Sequence, residues 1–171
     1  EVMQTSYRAV ELYNEFWELR KIKPCPVPNI FGTTLLILRS QMWGREEAVE
    51  VLQKMVDISK QRLKTGEFEA DEEVARVYIS YIYWLFDFYN YFTWMEKKGI
   101  TILGDILAIH YFPEMDFSSK ESMLRGLADI AFDYPMTRQM GANQISVKWL
   151  EDIAFAVKDL GADACIFGGV H

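Results

Sequence analysis

The sequence predicts an α/β fold in which a helical lead-in precedes a small parallel sheet. Before residue 66, apolar residues recur at three- and four-residue steps, which is typical of helices. After residue 75, three short stretches rich in β-branched, aromatic or other apolar residues alternate with helical patterns. Strands joined through helices pair in parallel, with right-handed crossovers. We therefore divide the chain into a helical lead-in, 1–66, and an α/β domain, 67–171.

The lead-in is predicted to contain three helices. The first covers residues 5–22 and ends before Pro24, because the residue preceding a proline is disfavoured in the α region. A short apolar stretch at 33–43 predicts a buried helix. The clearest pattern covers 45–66, where acidic residues occupy the first turn and a glycine is placed as the cap.

Three strands and three helices are predicted to alternate in the second part. The strands are placed at 75–82, 100–105 and 162–170, and the helices at 86–99, 118–135 and 143–161. Asp152 falls on a narrow polar strip of the last helix. The last strand is as apolar as a central strand, which predicts that Cys165 is a packed core residue. The chain stops one residue beyond this strand, at His171, so we expect a fragment that is truncated at its C-terminus.

Composition and charge restrict the classes of partner. The net charge of −7, without a lysine- or arginine-rich cluster, argues against binding to nucleic acid. Charged residues at 76, 87 and 96 interrupt the most apolar region, so no stretch is long enough to span a membrane. The first residues lack the pattern of a signal peptide. We expect a cytoplasmic protein with no membrane partner.

Three residues are candidates for chemistry. Cys25 lies in the stretch KPCPVPNIFG, where it is either a thiolate ligand on a proline-stiffened loop or a small apolar residue packed at a turn. His110 follows the second strand, at the end of a parallel sheet where ligands bind, and either contacts a ligand or makes a structural hydrogen bond. Asp105, which ends that strand, either caps the following segment or faces a ligand.

The order of these pieces resembles a known superfamily. The stretches KPCPVPNIFG, ARVYISYI, GITILGD, MLRGLADIAFDYP and LEDIAFAVKDLGADACIFGGVH follow one another as in the later part of subunits of the 2-hydroxyacyl-CoA dehydratase and benzoyl-CoA reductase superfamily. The resemblance implies Rossmann-like domains, a second homologous subunit and an oxygen-sensitive [4Fe-4S] cluster that an ATP-dependent activator protein reduces. It further implies dehydration of a 2-hydroxyacyl-CoA by a ketyl-radical route, or reduction of an aromatic acyl-CoA.

The chain departs from this pattern in its cysteines. The resemblance implies cluster ligands after LADIAF and after the last strand, but the stretch DYPMTRQMG has no cysteine and the sequence ends at His171. Cys25 and Cys165 match neither position, and Cys25 is only a weak candidate ligand. We therefore expect that the isolated chain is inactive and does not hold the cluster alone. The alternative function is a non-catalytic α/β scaffold or binding subunit that pairs with a cluster-bearing partner.

The acyl-CoA substrate is expected at the carboxyl ends of the parallel strands. His110 and Tyr111 are predicted to lie closest to it. Pro28, Asn29 and Phe31, from the proline-rich loop, are predicted to close over it.

Overall fold

The computed structural model describes residues 1–80, 88–105, 114–133 and 145–167, which form helices packed on a three-stranded parallel sheet. The predicted α/β class, with three parallel strands after helices at the N-terminus, is confirmed. The boundary between residues 66 and 67 stays a prediction. Within the described ranges, no helix combines the length and apolar content needed to cross a membrane.

The helices and strands lie close to their predicted positions. In chain order the helices are α1 (Val2–Lys21), α2 (Phe31–Ile37), α3 (Glu46–Thr65), α4 (Phe88–Lys97), α5 (Lys120–Asp133) and α6 (Ile145–Leu160). A π-helical turn, Leu38–Met42, continues α2. The strands are β1 (Ala75–Ile79), β2 (Ile100–Asp105) and β3 (Ala164–Ile166).

The sheet has the order β2-β1-β3, so β1 is its middle strand. Tyr78 of β1 is opposite Gly104 of β2 on one side and Cys165 of β3 on the other. The prediction that Cys165 is a packed core residue is wrong in extent, because β3 lies at the edge of the described sheet and Cys165, although it packs against the larger apolar cluster, is only partly buried. The apolar composition of a strand reflects the helices that cover its faces, and it does not fix how many strands flank it.

Two apolar clusters cover the two faces of the sheet. The larger cluster joins α1, α3 and α6 to Tyr78 and Leu103. The smaller cluster joins α4, through Phe92, to Val77 and Ile102. Successive side chains of a strand point to opposite faces of the sheet. Since Tyr78 packs with the lead-in helices and Val77 packs with α4, these helices cover opposite faces.

Glycines in the left-handed conformation follow α3, α4 and α6. Gly66 follows α3 with φ +71°, and its N–H donates to the Arg62 carbonyl at 2.8 Å. Gly99 connects α4 to β2 with φ +73°, and a Cβ there would lie 2.2 Å from the Glu72 carbonyl oxygen. Only glycine avoids both the strained backbone and this clash. The turn before β2 can therefore pass directly against the segment that leads into β1.

Candidate functional site

The proline-rich loop is fixed to the outer edge of β2 by the side chain of Asn29. Its amide Nδ2 donates to the carbonyls of Ile100 and Phe92, at 2.9 and 3.3 Å, and its Oδ1 accepts from the Ile102 N–H at 2.7 Å. The Asn29 backbone N–H donates to Glu96 at 3.0 Å. The amide thus pairs with β2 as a neighbouring strand would, which satisfies groups that an edge strand leaves open. These contacts lie in the first half of β2.

Cys25 packs as a small apolar residue at the same turn. It is 7% exposed and belongs to the larger apolar cluster. Its thiol donates to the Val27 carbonyl at 3.9 Å, and burial raises the pKa of Cys25 to about 11. At neutral pH the thiolate, which is the form that attacks electrophiles and binds metals, is therefore scarce. Of the two interpretations of Cys25, these observations favour the packed residue.

A buried ion pair lies beneath the loop. The Arg76 guanidinium contacts the Glu73 carboxylate at 3.0 Å, and both side chains are almost fully buried. Glu73 also accepts from the Cys25 N–H at 3.1 Å and from the Thr101 hydroxyl at 2.7 Å. Because the carboxylate has these additional donors, its burial is compensated. This network holds the loop against the starts of β1 and β2.

A cavity of about 320 Å³ opens beside this network, at the amino ends of β1 and β2. Its walls come from the proline-rich loop, the end of α3, the acidic segment 67–73 and the turn at Gly99. Ligands of parallel α/β sheets bind at the opposite edge, beyond the carboxyl ends of the strands. The cavity is therefore distinct from the edge where the substrate is expected.

The carboxyl edge of the sheet carries a group of buried polar side chains. Asp105 ends β2 and is 4% exposed, Asp152 lies on α6 and is 6% exposed, and Ser80 directly follows β1. The Tyr78 hydroxyl has no hydrogen-bond partner in the described part of the chain. Burial, together with the nearby carboxylate of Asp105, raises the pKa of Tyr78 well above its usual range. These groups provide two hydroxyls and two carboxylates under the expected substrate edge.

Sequence reasoning missed part of this group. Asp152 is predicted on a solvated polar strip, and this prediction is wrong, because the residue is buried in the structure. The neighbour of Asp152, Glu151, is exposed, so the adjacent pair Glu151–Asp152 gave no local signal that one carboxylate is buried. Ser80 and Tyr78 were not predicted as site residues, because they lie in a stretch whose pattern is that of an ordinary strand.

The five predicted substrate contacts are only partly described. Phe31 packs near Phe16, with 6.3 Å between ring centroids, and the Pro28 carbonyl accepts from the Phe31 N–H at 3.0 Å. The Asn29 side chain is engaged with β2 and α4. His110 and Tyr111 lie outside the described residues. Substrate contact by this set stays a prediction.

Comparison with known proteins gives the family. No curated protein and no solved structure matches the chain significantly. The family model of the 2-hydroxyglutaryl-CoA dehydratase D-component matches residues 1–171, the whole length of the chain. This match confirms the resemblance deduced from the sequence motifs. The chain belongs to the 2-hydroxyglutaryl-CoA dehydratase D-component family.

Proposed function

We propose that the chain is a subunit of an enzyme that dehydrates 2-hydroxyacyl-CoA and that the substrate meets the carboxyl edge of its sheet. The observation that carries this proposal is the family match over the whole chain. The family name describes a component, which supports the presence of partner subunits. Its name also favours dehydration over reduction of an aromatic acyl-CoA.

The charge distribution supports the choice of edge. The carboxylates of Glu69, Asp71 and Glu72 line the cavity at the amino edge, have no ion-pair partner among the residues that the structure describes, and repel the phosphates of coenzyme A. The carboxyl edge carries Tyr78 and Asp105 on adjacent strands, and His110 follows Asp105 by a few residues. Polar groups that converge at strand ends are the usual setting of a ligand site.

The residues of this chain do not fit a [4Fe-4S] cluster. Such a cluster is held by about four thiolates, and the sequence has two cysteines. Cys25 is buried with its thiol on a backbone carbonyl, and Cys165 lies in β3. Among the described residues, no three potential metal ligands come together. We propose that a second homologous subunit supplies the ligands and that an ATP-dependent activator protein reduces the cluster there, so that the ketyl-radical route belongs to the assembly.

The test is dehydration by the complete assembly. The subunits and the activator are purified without oxygen, and loss of water from 2-hydroxyglutaryl-CoA is followed by mass spectrometry with and without this chain. We expect dehydration only when the chain is present. Full activity of the remaining components without it contradicts the proposal.

A scaffold without a role at the reacting groups is the second candidate. Two observations favour it. The Asn29 amide is hydrogen-bonded to backbone groups of β2 and α4. The two cysteines lie apart in the chain, Cys25 in the proline-rich loop and Cys165 in β3. A scaffold is needed for assembly but contributes no group to the substrate.

His110 separates the two candidates. We predict that His110→Ala lowers dehydration by about tenfold or more, as expected for the loss of one hydrogen bond to a charged or polar ligand, while the melting temperature is unchanged. Gln41→Ala, an exposed polar residue on the π-helical turn, is the matched control. Unchanged activity of the His110 variant, or a loss that unfolding explains fully, favours the scaffold.

A further inference from the structure

The cavity at the amino edge has an apolar interior. Pro24 and Val27 of the proline-rich loop form one wall, and Phe68 and Ala70 of the acidic segment form another. Its volume of about 320 Å³ is at the lower limit of small-molecule sites, which begin near about 300 Å³. A space of this size suits one long side chain better than a nucleotide thioester.

Two carboxylates in the cavity wall are already neutralised. Glu96 pairs with Arg62 at 2.7 Å, and Glu73 pairs with Arg76 at 3.0 Å. Since both carboxylates also accept hydrogen bonds from the backbone of the proline-rich loop, they serve the fold. Neither is available to attract a ligand.

The rim of the cavity has a net negative charge. Glu69, Asp71 and Glu72 are exposed, and within the described ranges none of them has an ion-pair partner. Lys23 is the opposing charge at the rim, one ammonium against three carboxylates. The mouth therefore attracts cations and repels anions.

We propose that this cavity docks an arginine side chain of a partner protein. An apolar interior with an acidic mouth matches a side chain that has an aliphatic stem and a cationic head. The wall already carries a contact of this kind, because the Arg62 guanidinium lies over the Phe68 ring at 5.8 Å. A guanidinium is preferred over an ammonium because it stacks on aromatic rings and binds carboxylates in a bidentate manner.

The surface around the cavity favours a protein over a free small cation. Val74 is 68% exposed, and its Cγ2 lies 3.0 Å from the position of a Cβ on Gly99, which lines the cavity. Apolar surface therefore continues beyond the mouth, where residues that flank an arginine would pack. This inference does not rest on the proposed function, since it concerns the opposite edge of the sheet.

The test uses the full chain and defined peptides. Backbone amide resonances are followed by NMR during titration with acetyl-Leu-Arg-Leu-amide, with the citrulline peptide of the same shape but no charge, and with spermidine. We expect the arginine peptide to shift the amides of residues 68–73 and Gly99. The citrulline peptide should bind about tenfold more weakly, because several exposed ion pairs are lost. Raising the salt concentration should weaken the binding of the arginine peptide but not that of the citrulline peptide.

Matched variants assign the effect to the rim. In E69Q/D71N/E72Q, the arginine peptide should lose about tenfold in affinity and bind like the citrulline peptide. In E11Q/E50Q/E114Q, which removes three exposed carboxylates outside the cavity lining, binding should be unchanged. Equal binding of the two peptides, or an unaffected rim variant, overturns the proposal. If spermidine binds as tightly as the arginine peptide and shifts the same amides, the cavity binds small cations and the proposal of a protein partner is overturned. A negative result in these peptide titrations does not bear on the dehydration assay, so the two proposals are tested separately.

Discussion

At the residue scale, the two cysteines are buried in the opposite order to the one that the sequence predicts, with Cys25 buried and Cys165 only partly buried. Cys165, in an apolar strand, is expected in the core but is only partly buried, because β3 has β1 on one side alone in the described sheet. Cys25, in a proline-rich turn, is 7% exposed because that turn packs on the larger apolar cluster. Both outcomes depend on neighbours far away in the chain, which local composition does not record.

Because Cys25 is buried more deeply than Cys165, we expect the stability losses of their alanine variants in the opposite order to the one that the sequence predicts. The sequence alone predicts that Cys165→Ala costs more than Cys25→Ala. From the structure we predict that Cys25→Ala lowers the free energy of unfolding by about 1 kcal/mol, because it leaves a small cavity in a packed cluster, and that Cys165→Ala costs less. Urea unfolding of both variants measures this. A larger loss for Cys165 would contradict the deeper burial of Cys25.

The Cys25 thiol should also make stability depend on alkaline pH. Burial raises its pKa from 9.0 to about 11, so the folded chain keeps a proton that the unfolded chain releases. The stability from this thiol is complete below pH 9 and is lost as the pH rises through about 11. At about 1.4 kcal/mol for each pKa unit, the loss approaches about 3 kcal/mol. Because this loss exceeds the cost of about 1 kcal/mol for Cys25→Ala, we expect the unfolding free energies of the wild type and the variant to converge above pH 9 and then to cross; parallel curves would contradict this.

At the element scale, one guanidinium joins the ends of two helices to the sheet. Arg76 of β1 donates to the Arg20 and Ile22 carbonyls at the end of α1, at 2.7 and 3.0 Å. It also donates to Leu160 and Gly161 at the end of α6, at 3.1 and 3.2 Å. The last carbonyls of a helix lack partners within it and carry partial negative charge, so a cation is favoured there.

Removing this guanidinium should be costly. We predict that Arg76→Met lowers the free energy of unfolding by about 3–5 kcal/mol, because it leaves the buried Glu73 carboxylate without its cation and removes a donor from the helix-terminal carbonyls. Arg125→Met, in an exposed pair with Glu121, should change it by less than about 0.5 kcal/mol. Denaturant unfolding of both variants provides the comparison. If Arg76→Met resembles the Arg125 control, the buried pair does not stabilise the fold.

The elements themselves were predictable, whereas their assembly was not. The sequence predicts β2 at residues 100–105, where the structure has it, and the last helix within about two residues at each end. Apolar periodicity and glycine caps are local signals, so they survive in a single sequence. The pairing of Asn29 with β2 joins residues 71 and 73 positions apart and leaves no local pattern. The carboxyl-edge group depends on strand order in the same way.

At the scale of the whole molecule, the sheet separates two surfaces of different chemistry. The carboxyl edge has buried polar groups beneath the expected substrate, including Asp105 and Asp152. The amino edge has an acidic cavity beside the proline-rich loop. If both proposals hold, a partner protein docks on one side while the substrate is bound on the other, so that neither competes for the same surface.

The isolated chain should not hold an iron–sulfur cluster. Two cysteines in unrelated surroundings do not provide the thiolates that a [4Fe-4S] cluster needs, and the raised pKa of Cys25 disfavours one of them further. We predict that anaerobic reconstitution with iron and sulfide leaves the chain without a charge-transfer absorption band. About four irons for each chain would contradict this and would require ligands other than two thiolates.

The position of Arg76 has a consequence for the order in which the protein can be completed during synthesis. Its acceptor at Leu160 lies 84 residues further along the chain. At about 5–20 residues per second, the ribosome adds that residue about 4–17 seconds after Arg76. During this interval the guanidinium has the carbonyls of α1 and the Glu73 carboxylate but not those of α6. The guanidinium can therefore join the end of α1 to the end of α6 only after this 84-residue stretch has been translated.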